Sequence, residues 1–262
     1  MPYEHTKKAP RWGAFFVSAL SVLAVVPAQA QCPRLAGGFE ARVAHIYDGD
    51  TLKLADGRRV RLIGVNTPEM GRDGTPDQPL AQVARRWLEQ RVGTGPVYLV
   101  PGVEARDRYG RLLAHLYLPD GRLASEELLR QGLGHALAVG RNTRLLACLF
   151  AADARAMAEH QGVWASGFQS AGRVAVSGFA AVSGRITRVT STRSGVYLDL
   201  DDHLALLVPS ELIEMRDLSW RKGDRIQVRG WVVDRQSGAR SLRRGEQRWL
   251  LKVSHLRHLQ SN

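Results

Sequence analysis

Thr51-Leu52-Lys53-Leu54-Ala55-Asp56-Gly57-Arg58-Arg59-Val60-Arg61-Leu62-Ile63-Gly64-Val65 is the stretch on which the fold turns. Asp56-Gly57 is a strong hairpin signal, and the apolar residues around it place strands at Thr51–Leu54 and Arg59–Val65. Phe39–Ile46 alternates loosely and supplies a strand before them. Beyond the hairpin, Asp77-Gln78-Pro79 opens a helix, with Asp77 or Gln78 near the cap and Pro79 in the first turn. Leu80, Val83, Ala84, Trp87 and Leu88 recur at helical spacing as its buried stripe, and Gly93 ends it. Two more strands, Val97–Val100 and Arg111–Leu118, precede helices over Ser125–Gln131 and about Thr143–His160. Three strands, a helix and two strands are the order of a five-stranded OB-fold barrel with packed helices, a mainly β (α+β) fold.

The theme returns after residue 180. Ala181–Thr190, Tyr197–Asp201, Leu204–Val208, Arg225–Val233 and Trp249–Val253 read as strands, with a short helix at Ser210–Arg216 capped by Ser210. A second small OB-like β-barrel over 181–262 is expected, an SH3-like barrel being the alternative. Between the halves, Ala165-Ser166-Gly167-Phe168-Gln169-Ser170-Ala171-Gly172 has the small, polar composition of a linker, set at 168–180.

At the N-terminus, Lys7, Lys8 and Arg11 precede an apolar run from Ala14 to Val26, which is too short to span a bilayer. Pro27-Ala28-Gln29-Ala30 then offers a small-x-small cleavage site. Residues 1–30 read as a secretory signal peptide, which leaves a domain at 31–167 and no stable membrane span in the mature protein; an uncleaved anchor is the other reading. Export to a periplasmic or extracellular, oxidising compartment favours a Cys32–Cys148 disulfide, two unpaired thiols being the other reading.

The 262 residues are 44% hydrophobic and 24% charged, the balance of a globular chain rather than a disordered or collagen-like one. The formal charge of +12 suits a polyanionic partner such as nucleic acid or an anionic membrane surface. The excess is uneven: 31–171 holds 18 basic and 15 acidic residues, and 172–262 holds 16 and 9. In the second half Arg185, Arg188, Arg193, Arg221, Arg225, Arg229, Arg235, Arg240, Arg243 and Arg244 accompany Trp220, Trp231 and Trp249. Either these track and stack a nucleic acid strand, or the tryptophans fill the barrel and the arginines solubilise it. The second reading is preferred, because strand binding needs both residue types on one face. His203, His255 and His258 lack metal spacing, and Asp199-Leu200-Asp201-Asp202 reads as a strand-end turn.

Three segments of the first half carry chemistry. Asp48-Gly49-Asp50 sets two carboxylates on a tight turn, which is either a hard-cation site or a plain surface turn. Arg61 lies in a strand apolar on both faces, where a guanidinium needs a carboxylate partner or a site to face. Pro68 stiffens Thr67 and aims Glu69, which is either a base or half of a salt bridge. Arg106-Asp107-Arg108-Tyr109-Gly110-Arg111 is either a solvated face or a phosphate-contacting loop.

Taken in order, these segments, with Gln131-Gly132 closing a helix and a terminal Gly162-Val163-Trp164, resemble the staphylococcal nuclease (thermonuclease) family over about residues 40–165. The resemblance implies that Asp50 binds Ca²⁺, with Asp48 a nearby acid, and that Thr67 lends its backbone carbonyl. Glu69 corresponds to the general base, and Arg61 and Arg111 to the arginines that hold the scissile phosphate. Arg108 and Tyr109 are supporting residues of the same loop. Asn66 stands where the family's best-known member has an Asp ligand, which leaves the metal's identity open between Ca²⁺ and another divalent cation. Ala138 and Gly140 stand where tyrosines line that member's nucleotide pocket. The implied activity is exported, metal-dependent hydrolysis of DNA, and of RNA as a further substrate, with little sequence preference. Alternatives are a non-catalytic nucleic-acid-binding protein on a decayed nuclease fold, and an envelope scaffold gripping anionic polymers.

Overall fold

The computed structural model describes Met1 and residues 31–262, apart from 72, 216–217, 238–240 and 262. The expected export signal therefore falls outside the described residues, save Met1. The first half runs β1 (Phe39–Ala41), β2 (Val43–Ile46), β3 (Thr51–Leu54), β4 (Arg59–Leu62), β5 (Val65–Asn66), α1 (Ala81–Val92), β6 (Val97–Arg106), β7 (Leu112–Tyr117), α2 (Ala124–Arg130), β8 (His135–Ala136) and α3 (Leu146–Ala158). Six of these strands form one sheet in the order β1-β6-β7-β4-β3-β2. Its two edge strands are consecutive in the chain, parted only by Arg42, so one bent segment joins the two ends of the sheet.

The hairpin forms where its turn signal lies. Thr51 pairs with Arg61, Leu52 with Val60 and Lys53 with Arg59. Gly57 takes φ 90°, and Asp56 accepts a hydrogen bond from the Arg58 backbone N–H at 3.0 Å. The expected strand to Val65 does not continue, however. Gly64 adopts φ 87°, and a Cβ there would lie 2.3 Å from Leu149 Cδ1 on α3. The chain is thus forced out of the sheet after Leu62, and β5 pairs with β8 instead.

α1 also departs from expectation. It starts at Ala81, with Leu80 as a left-handed N-cap at φ 71° and no side-chain cap bond. Asp77 is used elsewhere: its carboxylate accepts from the Gly71 N–H and the Gln82 amide. This later start shifts the buried stripe to Ala81, Ala84, Leu88 and Val92, while Val83 is exposed and Trp87 half-buried. Leu88 packs into a core with Leu52, Val60, Leu99, Leu116, Leu128 and Leu149. A Cys32–Cys148 disulfide ties the chain ahead of β1 to α3.

The second half comprises β9 (Gln169–Ser170), β10 (Gly178–Thr192), β11 (Gly195–Leu200), β12 (Leu204–Pro209), α4 (Ser210–Glu214), β13 (Arg225–Asp234), β14 (Trp249–Lys252) and β15 (Leu259–Ser261). Because β13 pairs with both β14 and β10, the order β10-β11-β12-β14-β13 closes into a ring of pairings. Ser210 is the first helical residue of α4 rather than its cap; Pro209 holds that position. Inside 168–180, which composition marks as linker, Gln169 and Ser170 pair with Val182 and Ser183. Ala171 and Val174 are likewise buried in the second core, with Leu198, Leu206, Val228 and Trp249.

Residues 31–262 pack as one compact unit. Across the seam, Arg229 of β13 forms an ion pair with Asp153 of α3, both almost fully buried. Asp153 Oδ1 also accepts from Trp164 Nε1 at 3.0 Å and from the Ala136 N–H at 3.2 Å. The second half therefore braces β8, and β8 holds β5. His258 Nε2 accepts from the Ala138 N–H at 2.9 Å, which adds a second tie. Among the described residues no helix is long and apolar enough to cross a membrane.

Candidate active site

The break at Gly64 creates the site. Because the chain leaves the sheet there, Arg61 at the end of β4 sits beside Asn66 at the end of β5. Arg61 Nη1 donates to the Val65 carbonyl at 2.9 Å and lies 2.8 Å from Asp50 Oδ2; Nη2 donates to Asn66 Oδ1 at 2.9 Å. The choice left open by sequence resolves as both: Arg61 has a carboxylate partner and also lines a cavity.

Asp50 is buried at the start of β3 and fully engaged. Oδ2 accepts from the Thr67 N–H at 2.7 Å, and Oδ1 from Thr51 Oγ1 at 3.0 Å. Asp48 is buried beside it, and its Oδ1 accepts from the Asp50 N–H at 3.1 Å. The tight Asp48–Asp50 turn needs its glycine, since a Cβ at Gly49 would lie 2.7 Å from Ala84 Cβ. Burial, followed by the charges of Asp50 and Glu69, pushes the Asp48 carboxyl up to about 8. A turn this crowded with acid is not a plain surface turn.

Glu69 is exposed at the cavity, and its backbone is pinned from both sides: Glu69 N–H donates to Gln78 Oε1 at 2.9 Å, and Gln78 N–H donates to the Glu69 carbonyl at 3.0 Å. Arg111 enters from the turn between β6 and β7. Its Nε donates to Asp107 Oδ2 at 2.7 Å, and its guanidinium carbon lies 5.5 Å from the Tyr109 ring centroid. Burial opposes ionisation of Asp107, but hydrogen bonds from Arg111 and from the Tyr109 N–H outweigh it and hold that carboxyl below its usual range. Tyr109 is exposed and its hydroxyl accepts from Arg108 Nη2 at 2.6 Å.

Arg61, Asn66, Glu69, Arg108, Tyr109 and Arg111 line one cavity of about 400 Å³. Asp48, Asp50 and Thr67 lie behind it, reached through Arg61. Leu62, Ile63, Gly64 and Leu113 also line it, together with Asp107, Leu137, Val139, Asn142 and Trp231. The sequence names Asp107 within the charged loop and Trp231 as an alternative stacking residue, but assigns neither to this site. The Asp107–Arg111 spacing of four was a legible signal, whereas nothing local ties Trp231 to residues so far upstream. Of the three second-half tryptophans, Trp249 is buried and Trp220 packs partly on the second core, as expected, but Trp231 does not fill the barrel.

The donors suit a hard cation. Asp48, Asp50, Asn66 and Thr67 offer only oxygen, the preference of Ca²⁺ and Mg²⁺. Thr67 Oγ1 is buried with no hydrogen-bond partner, and the Asp48 and Asp50 carboxylates are buried side by side. Arg61 is the competitor, since it already bonds both Asp50 and Asn66. Among the described residues no set of three or more His, Cys, Asp or Glu side chains is grouped to hold a metal, so a cation here would need an amide or main-chain oxygen as well.

Residues 59–166 match the family model described as Staphylococcal nuclease homologue. The chain is 33% identical over 125 residues to a thermonuclease of Staphylococcus intermedius, an alignment covering 47% of this chain and 74% of that protein. It is 35% identical over 98 residues to a thermonuclease of Staphylococcus hyicus, covering 36% of this chain and 57% of the relative. It is also 38% identical over 90 residues to endonuclease YncB of Bacillus subtilis (strain 168), covering 33% and 42%.

Proposed function

We infer a phosphodiesterase from one premise: this chain belongs to the staphylococcal nuclease homologue family. It hydrolyses DNA, and RNA as a further substrate, with low sequence specificity and with help from a divalent cation. The observation that carries this reading is that two guanidinium groups and one carboxylate, Arg61, Arg111 and Glu69, line the same cavity from two separate chain segments, 61–69 and the turn between β6 and β7.

Asp50, Asn66 and the Thr67 carbonyl would hold Ca²⁺ or another divalent cation, with Asp48 beside them. When bound, such an ion supplies Lewis-acid polarisation of a phosphoryl oxygen and offsets its charge. The chain's own residues do the rest. Arg111 and Arg61 donate to the non-bridging oxygens of the scissile phosphate, and these bonds strengthen as charge grows on phosphorus in the transition state. Glu69 accepts a proton from the attacking water, whose oxygen bonds to phosphorus as the bond to the leaving oxygen breaks. Its pinned backbone keeps the carboxylate near that path. Asp107 holds Arg111 through its Nε, so the Nη groups are the ones that donate to the phosphate.

Residues 31–167 form an OB-type barrel with packed helices, and 181–262 a second small OB-like barrel, joined through 168–180. Residues 1–30 direct export to the periplasm or beyond, and the Cys32–Cys148 disulfide supports an oxidising destination.

The test is incubation of purified protein with plasmid and single-stranded DNA in Ca²⁺, Mg²⁺, Mn²⁺ or chelator. Cation-dependent degradation is expected. Salt-sensitive retardation without degradation in every cation would contradict hydrolysis and select the non-catalytic binding reading.

A further inference from the structure

The cavity has one wall that the catalytic residues do not explain. Trp231 of β13, from the second half, is 42% exposed and lines the same cavity as Arg61, Glu69 and Arg111. Val139, 49% exposed, also lines that cavity. An exposed indole is informative when it shares a cleft with fixed polar groups rather than standing alone on a surface.

Trp231 is also held in place. It is paired with Phe179 across β10 and β13, and the two rings meet edge to face with centroids 5.2 Å apart. Phe179 in turn lies 5.4 Å from the His135 ring, and His135 4.6 Å from Trp164. Two residues earlier on the same face of β13, Arg229 is locked to Asp153 of the first half. The strand is thereby anchored where it passes the cleft. The other exposed ring of the cavity, Tyr109, is approached by the guanidinium groups of Arg108 and Arg111 at 4.7 and 5.5 Å from its centroid. Among the described residues no guanidinium lies over Trp231, and the residue is 42% exposed.

We propose that Trp231 is a base-stacking residue: the second half of the chain lends its indole to the cleft, where it receives a nucleobase next to the phosphate held by the arginines. Cationic forks for the backbone beside an open aromatic face are the combination that grips a single strand, and stacking tolerates any base because every base has a π face. A base inside a duplex is already stacked on its neighbours, so Trp231 favours single strands or frayed ends. This inference rests on the nucleic-acid reading above, but not on hydrolysis.

The experiment reads binding in chelator, by fluorescence anisotropy, of a dye-labelled eight-nucleotide oligothymidylate and of an equally long, equally charged strand of abasic phosphates. Trp231→Ala is expected to weaken oligothymidylate binding about tenfold, the scale of one lost stacking contact, and to leave the abasic strand unchanged within twofold. Trp231→Phe, which keeps a ring, restores most of the loss and guards against a folding artefact; the urea midpoint of each variant is measured alongside. Equal weakening of both strands, no weakening of either, or a wild-type protein that prefers neither strand overturns the proposal. Cleavage by the wild type in Ca²⁺ is scored separately. A protein that binds through Trp231 yet cleaves nothing defeats the hydrolytic reading alone, and one that cleaves but ignores Trp231→Ala defeats only stacking.

Discussion

Replacing Arg229 by Met removes the charge at the seam while keeping a flexible side chain of comparable length between the rings of Phe150 and Trp164. The Arg229 and Asp153 side chains are 2% and 1% exposed. The substitution therefore strands a carboxylate away from water. Breaking a buried pair from one side costs about 3–5 kcal/mol. Here Asp153 Oδ1 keeps the Trp164 and Ala136 donors at 3.0 and 3.2 Å, which argues for the lower end, about 3 kcal/mol. In a chain of this size that is a fall in Tm of roughly 6–12 °C. Adding Asp153→Asn to Arg229→Met should recover at least half of the loss, because a neutral amide oxygen still accepts both bonds and no longer carries a buried charge. The assay is urea denaturation of the disulfide-intact protein, followed by tryptophan fluorescence, for wild type, both singles and the double variant. An Arg229→Met protein within about 1 kcal/mol of wild type, or a double variant no better than that single, would refute the argument that the seam depends on this pair.

Three further outcomes follow from the same structure. Asn66→Asp adds a carboxylate to the donor set and should lower the Ca²⁺ concentration for half-maximal cleavage by about tenfold, as charge count tunes such sites; an unchanged titration would remove Asn66 from the ligand set. His115 and His258 are buried and neutral, with pKa values lowered to about 4 and about 3, in each case first by burial and then by nearby cations, Arg144 for His115 and Arg229 with His255 for His258. Both lie below the unfolded value, so their contribution is complete above about pH 6.5 and is lost as pH falls, by about 1.4 kcal/mol per pH unit for each group, while Asp48, raised to about 8, acts in the opposite direction; wild type and His258→Gln losing stability in parallel from pH 7.5 to 5 would contradict this. Cys32 and Cys148 close a loop across a sequence separation of 116 residues, and Cys32→Ser with Cys148→Ser should cost about 4 kcal/mol in denaturant titrations.

What was legible in the sequence was local. The β3–β4 hairpin follows from Asp56-Gly57 and from the apolar residues around it, which need nothing distant to pair. The end of β4 was illegible because its cause is Leu149, on a helix far along the chain, which leaves only a glycine at position 64. Likewise α1 starts late because Asp77, a good cap by type, is already bonded to Gly71 and Gln82. In the site, Arg61 announced itself as a charge in an apolar strand, and Glu69 through the stiff Thr67-Pro68 step. The partners that fix Glu69 and Arg111, Gln78 and Asp107, are ordinary polar residues until the loops fold back. Trp231 read as barrel core because composition cannot tell which face of a strand meets another half of the chain.

The central claim is that Arg61, Glu69 and Arg111 act together on one phosphate. Its most direct test is the single-turnover rate of single-stranded DNA cleavage at saturating Ca²⁺ for Arg61→Ala, Glu69→Ala and Arg111→Ala, each first shown to keep a folded urea transition. Each should fall by at least about a hundredfold, the scale of one lost electrostatic or acid–base contribution. Folded variants that cleave as fast as wild type would contradict it.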